Sequence, residues 1–252
     1  MATALITGAS AGLGKEFAWQ LATAGHRIVV SARSEQRLRT LADMIASATG
    51  VTVEVLVADL ADAAGREAVA DRLSDDSQPV SLLVNNAGFG IGAAFHESTW
   101  EQEAAAHDVL VTAPLRLTHA ALPGMVRRGH GAVLNVSSVA AHLGNSTYAA
   151  HKRWVVEFTE ALAAQLRGTG VTATAVLPGL TRTEFHDAPA LQHMRTAFPE
   201  VAWLDAEQVV SSALSAVRRG AVTVTPSVRY TAAGALAMLA PRAVTRRLGQ
   251  GL

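Results

Sequence analysis

The chain has no cysteine among its 252 residues. Disulfides, thiolate nucleophiles and cysteine-held metals are therefore excluded, and the absence fits a cytoplasmic setting. An excess of either charge is also missing. The formal net charge is +0, from 21 Lys and Arg against 21 Asp and Glu. Nothing in that balance points to nucleic acid or an anionic membrane as partner. No apolar run reads as long enough to span a bilayer. The start, Met1 to Thr7, has no basic stretch and only a short apolar run before Gly8. It reads as a strand rather than a secretion signal.

What is there is apolar. Hydrophobic residues make up 50% of the chain, enough for one large domain with a sizeable core. Apolar runs and helical periods alternate along it. Ala4 to Thr7 is a strand, followed by Gly8-Ala9-Ser10-Ala11-Gly12-Leu13-Gly14 and a helix through Phe17, Leu21 and Ala24. Arg27 to Ser31 is a second strand, and Ser34 caps a helix to Thr49. Val51 to Ala58 is a third, ending in Asp59-Leu60, with a helix to Ser77. Val80 to Val84 is a fourth, ending in Asn85-Asn86-Ala87-Gly88. A long helix from Ser98 to Arg128 is expected to bend or divide at Pro114. Gly131 to Val136, Val171 to Leu177 and Ala221 to Thr225 complete the strands, with helices over 148–167 and from Asp205 to Arg219. Residues 184–203 lack a clean period and read as a substrate-facing insertion. The alternation predicts a single-domain, Rossmann-type doubly wound parallel β-sheet with helices on both faces. Its main body is 1–226, and 227–252 is a helical extension packed on it.

Ligands of such sheets sit at the carboxyl ends of the strands. Gly8, Arg33, Asp59 and Asn86 all fall there. Glycines at 8, 12 and 14 let backbone amides approach a pyrophosphate at a helix N-terminus. The second strand ends Ser31-Ala32-Arg33 with no carboxylate to hold a ribose 2′-hydroxyl. An arginine there suits a 2′-phosphate, which favours NADP(H) over NAD. Tyr148 and Lys152 lie four apart, on one helix face. An ammonium beside a phenol favours the tyrosinate and is expected to lower its pKa. A place in the first helical turn would add to that effect. The pair suits general acid/base work at a substrate oxygen. Alone, Tyr-x-x-x-Lys is also what a half-buried tyrosine and a solvated lysine produce.

Taken together, Thr7-Gly8-x-x-x-Gly12-x-Gly14, Asp59-Leu60, Asn85-Asn86-Ala87-Gly88, Ser138, Tyr148-x-x-x-Lys152 and Pro178-Gly179 with Thr181 and Thr183 resemble the classical short-chain dehydrogenase/reductase family. The resemblance covers nearly the whole chain. It implies a nicotinamide cofactor and hydride exchange between a carbonyl and an alcohol. By position, Tyr148 would exchange the proton, Lys152 would lower its pKa and hold the nicotinamide ribose, and Ser138 would bond the substrate oxygen. Gly8, Ser10, Gly12, Leu13, Gly14 and Arg33 would hold the phosphates, and Asp59 and Leu60 the adenine. Asn86, Ala87 and Gly88 would line the ribose, and Pro178, Gly179, Thr181 and Thr183 would flank the nicotinamide. No metal is implied. A small-molecule carbonyl or alcohol is the expected partner, with a homo-dimer or tetramer as the assembly. Phe89, Ile91, Phe95, His142, Leu143, Phe185 and His186 are the expected lining of the substrate pocket.

Three departures stand out. Leu110 occupies the position where the family places a relay asparagine. The interval from Ser138 to Tyr148 is ten positions, shorter than usual, which leaves Ser137 as a rival to Ser138. His151 stands where a serine is usual. They keep open a second reading, an NADP(H)-binding protein with lost or altered redox activity: a sensor, a partner or a non-redox catalyst.

Overall fold

In the computed structural model, which describes residues 2–187, 192 and 197–232, seven strands form one parallel sheet. They are β1 (Thr3–Thr7), β2 (Arg27–Ala32), β3 (Val53–Val57), β4 (Leu82–Asn85), β5 (Gly131–Val136), β6 (Val171–Val176) and β9 (Thr223–Val224). Their order is β3-β2-β1-β4-β5-β6-β9, so the winding reverses between β1 and β4. A separate two-stranded ladder pairs β7 (Thr181–Arg182) with β8 (Leu204–Asp205).

β1 is buried at every position because both faces of the sheet are covered. Alternate side chains of a strand point to opposite faces. Ala4 and Ile6 accordingly pack with Phe17 and Leu21 of α1 (Gly12–Thr23), Leu38 and Ile45 of α2 (Glu35–Thr49), and Val210 and Leu214 of α7 (Ala206–Arg218). Leu5 packs the other way, with Val69 of α3 (Ala63–Ser74), Leu117 and Met125 of α5 (Ala113–Arg128), and Leu162 of α6 (Thr147–Gln165).

The long helix does divide near Pro114, and the sequence explains how. Between α4 (Trp100–His107) and α5, residues Asp108–Thr112 form one π-turn. Pro114 has no N–H to return to the carbonyl four residues back. The ladder slips by one residue, and the N–H of Ala113 bonds the carbonyl of Asp108. Among the described residues, Trp100–Arg128 is the one helix that meets the length and composition of a membrane span, contrary to the reading of the sequence. Half of its most apolar stretch is buried in the domain.

Other boundaries shift little. Ser34 caps α2 as expected, accepting from the Arg37 N–H. Asp205 does stand at the N-cap of α7, yet it makes no side-chain cap bond. Its carboxylate accepts instead from Arg182 Nη1 at 3.1 Å. The insertion carries short 3₁₀ turns at Glu184–Asp187 and Glu200–Ala202. Most of the extension at 227–252 lies outside the described residues.

A polar ladder crosses the core beneath the site. Asn85 Nδ2 donates to Asn135 Oδ1 at 2.9 Å, and Asn135 Nδ2 donates to Thr159 Oγ1 at 2.9 Å. Asn135 is fully buried, so truncating it strands partners that water cannot reach. Asn135→Ala should cost about 2–4 kcal/mol in chemical denaturation. A loss below about 0.5 kcal/mol would show that the ladder does not tie β4, β5 and α6 together.

Candidate active site

The turn after β1 is shaped by close approach to the end of β4. Thr7 Oγ1 accepts from the N–H groups of Asn86 and Ala87, each at 3.1 Å. Asn86 Nδ2 donates back to the carbonyls of Thr7 at 2.9 Å and Gly8 at 3.3 Å. The Asn86 side chain is thus committed to the turn, and its backbone is what remains to face a ribose. A Cβ on Gly14 would lie 2.3 Å from the Gly8 carbonyl oxygen, which leaves glycine alone there. Gly8 has φ +66°, in the region that favours glycine. The sequence marks Thr7 only as the end of a strand and the first residue of the glycine motif; its part as acceptor for the Asn86 and Ala87 amides is visible only in the structure.

Ser10, Gly12 and Leu13 continue this turn into α1, and Leu13 packs partly on the core. The α1 N-cap, Ala11, makes no side-chain bond to the first turn, and no acidic residue lies in that turn. Arg33 follows β2 with its side chain 77% exposed. Its guanidinium lies 4.0 Å from Asp59, so β3 brings to Arg33 the carboxylate that the end of β2 lacks. Leu60 turns inward with Val69, leaving Asp59 as the accessible member of that pair.

Ser146 Oγ accepts from the Ala149 N–H at 3.2 Å and opens α6. This puts Tyr148 in the first turn. Ser138 bonds the Tyr148 hydroxyl and accepts from the Ala140 N–H at 3.1 Å. Ser137 is buried and donates to the Lys152 carbonyl at 2.6 Å. Despite the short loop, Ser138 is the serine brought to the phenol and Ser137 is a tie beneath it.

Lys152 is buried, and its Nζ donates to the Val136 carbonyl at 2.8 Å. Loss of hydration lowers its pKa to about 8. The Nζ sits 5.7 Å from the centre of the Tyr148 ring. Helical spacing alone implies a lysine that lowers the phenol. In the structure burial wins: Tyr148 is pushed up to about 12, and the Ser138 hydrogen bond pulls only partly the other way. Desolvation of a tyrosinate costs more here than an ammonium itself bound to a carbonyl returns.

The loop after β6 closes the site. Pro178 accepts from the Val139 N–H at 3.0 Å, and Thr181 Oγ1 donates to the Gly179 carbonyl at 2.9 Å. Tyr230 crosses this loop, another contribution that the sequence reading missed. A Cβ on Gly179 would meet its ring at 2.2 Å. Its hydroxyl accepts from the Leu180 N–H at 3.2 Å and donates to the Ala202 carbonyl at 2.8 Å. Thr183 sits against Gly12, with its Cβ 3.2 Å from where a side chain there would begin. Of the expected pocket lining, Phe185 lies 6.3 Å from Tyr148 between ring centres, whereas Phe95 is 70% exposed and Phe89 packs on the core. The side chain of His186 lies outside the described residues.

Leu110 is buried in the π-turn. A Cβ on Gly88 would come within 2.9 Å of Leu110 Cδ2 and 3.4 Å of Lys152 Nζ. The leucine therefore sits beside the ammonium and offers it no hydrogen bond. A cavity of about 10 Å³ lies among Leu110, Asn85, Asn135 and Lys152, near the lower limit for one water. Its neighbour Asp108 faces away, 3.6 Å from Arg66. His107 meets His151, Nδ1 to Nε2 at 3.4 Å. Burial lowers both His151 and His142, with His107 also depressing His151 and Arg153 depressing His142.

Glycine-permitted backbone at a helix N-terminus, an exposed arginine beyond β2 and a Ser–Tyr–Lys group converge on one sheet edge. That arrangement fits a phosphate-bearing dinucleotide beside a proton donor. The chain belongs to the short-chain dehydrogenase family: that family's model matches residues 2–192. A short chain dehydrogenase of Pseudocercospora fijiensis is 36% identical over 190 residues, which cover 72% of this chain and 60% of that protein. A sulfoacetaldehyde reductase of Chromohalobacter salexigens is 35% identical over 189 residues, 72% of this chain and 73% of its own. A short-chain dehydrogenase of Sphingobium yanoikuyae, solved with NADPH, superposes with TM-score 0.85 at 34% identity over 95% of both chains.

The raised phenol has a direct readout, since the chain has 2 tyrosines and Tyr230 is raised by burial too. Ultraviolet titration of the cofactor-free protein should show no tyrosinate below the ordinary value of about 10. A step between pH 7 and 9 that vanishes in Tyr148→Phe would restore the lysine-dominated picture.

Proposed function

We propose that this oxidoreductase is NADP(H)-dependent and interconverts a carbonyl and an alcohol. The observation that carries the reading is the convergence of Ser138, Tyr148 and Lys152 at the edge of the glycine turn. Arg33, exposed beyond β2, is the group for a 2′-phosphate. The NADPH held by the Sphingobium relative supports the same choice. When bound, the nicotinamide supplies or receives the hydride.

The chain's own residues do the rest. Tyr148, protonated at neutral pH, donates its proton to the substrate oxygen during reduction. Ser138, already bonded to that phenol, donates to the same oxygen and stabilises negative charge as it develops. Lys152, with a pKa of about 8, remains mostly an ammonium at pH 7 and would stabilise the tyrosinate left once the proton has been given. Gly88, Pro178 and Gly179 shape the wall beside it, with Thr181 and Thr183 holding the loop. Phe185, near the Tyr148 ring, would bound the substrate side.

Fluorescence titration with NADPH and NADH tests the cofactor, and a carbonyl panel tests the reaction. NADPH should be preferred, and Arg33→Ala should lose about tenfold or more of that preference. Tyr148→Phe should lower kcat by at least about 100-fold while NADPH still binds. Tight NADPH binding without reduction of any carbonyl would favour the non-redox reading, with Leu110 beside Lys152 as its cause.

We infer further that the chain is a homo-oligomer. Leu115 and Val126 on α5 are 46% and 41% exposed, and Trp154 stacks on Phe158 along α6. The exposed apolar side chains of α5 are what a second copy would cover. Light scattering should give a mass at least twice the chain's 26.2 kDa, and a monomer at micromolar concentration would end that reading.

A further inference from the structure

The first turn of α1 is served by a distant residue. Gly12 N–H donates to Glu184 Oε2 at 2.9 Å, across 172 positions of sequence. A helix N-terminus leaves N–H groups unpaired and carries positive potential. Here no cap side chain and no acidic residue of the first turn meets that demand. Glu184 meets it, from the 3₁₀ turn that follows β7. The same turn places Thr183 against Gly12 and Phe185 near Tyr148.

This N-terminus is where the proposed function puts a pyrophosphate. A carboxylate and a pyrophosphate compete for the same donor, and both are anions. We propose that Glu184 is an internal competitor for the cofactor: it holds the Gly12 amide when the site is empty and must leave when the cofactor binds. The inference rests on the nicotinamide dinucleotide reading of the site. It goes beyond that reading by naming a residue that sets affinity against the cofactor rather than for it. Because Glu184 and Phe185 are adjacent, its release would also move the ring beside Tyr148. Cofactor binding and the substrate wall are thereby coupled through one short turn.

Glu184 is exposed, so Glu184→Gln should fold normally. The glutamine keeps the size and removes the charge. NADPH titration followed by fluorescence should show roughly three- to tenfold tighter binding in Glu184→Gln than in the original chain at low salt. The gap should narrow at high salt, because the repulsion removed is between charges near the surface. Adenosine 2′-monophosphate is the control ligand, since it reaches the Arg33 end and has no phosphate for α1. Its affinity, measured by displacement of NADPH, should be the same in both proteins. Equal or weaker NADPH binding in Glu184→Gln overturns the competitor role, as does an equal gain for the control ligand. Failure of the original chain to bind NADPH at all overturns the cofactor reading itself, and the inference with it.

Discussion

The site depends on how one cation is buried. Lys152 enters the region between β5 and α6, where its charge has little water, and its pKa falls to about 8. Two bonds hold it there in opposite directions. Its Nζ donates to the Val136 carbonyl, and its own carbonyl accepts from Ser137 Oγ. This clasp fixes the end of β5 against the second turn of α6. Ser138 lies two residues beyond β5 and Tyr148 precedes Lys152 by one helical turn, so both are aligned by the same pair of bonds. A buried charge is costly when a partner is lost, which makes the clasp a constraint on register as well as a pair of contacts.

Burial also reverses an argument that proximity alone supports. Tyrosine and lysine one turn apart imply a depressed phenol. With both groups desolvated, the neutral phenol is favoured and the ammonium is weakened. The result is a protonated donor next to a cation near its own titration range. Such a pair is suited to giving a proton to an oxygen that is becoming negative. Leu110 completes the dry wall beside it and offers no hydrogen bond.

The opposite end of the site is governed by demand for negative charge. α1 begins on Ala11 with no side-chain cap, while Gly8 and Gly14 beside it allow close approach to Asn86 and Ala87 after β4. The first turn of α1 is thereby left without a local partner for its amides. Glu184 fills that role from the insertion, and Arg182, Arg229 and Tyr230 secure the insertion's far end through the carbonyls of Glu200, Val201, Ala202 and Trp203. Among the described residues, the insertion is thus tied at its near end by Glu184 and at its far end by these carbonyls.

The strand–helix alternation, the glycine turn and the Tyr148–Lys152 spacing were readable in the sequence because each is local: period, turn chemistry and helical repeat act over a few residues. They determined the parallel sheet, the edge where ligands sit and the choice of candidate groups. The dividing of the long helix was half legible, since Pro114 announces a lost donor but not the π-turn that absorbs it. What only the tertiary structure decided involves partners far apart in the chain. Ser138 rather than Ser137 meets the phenol, Asp59 reaches Arg33, Tyr230 covers Gly179, and Glu184 takes the Gly12 amide. Desolvation belongs to the same class. It is a property of everything packed around a group, so the direction of a pKa was settled only when the core closed over Tyr148 and Lys152.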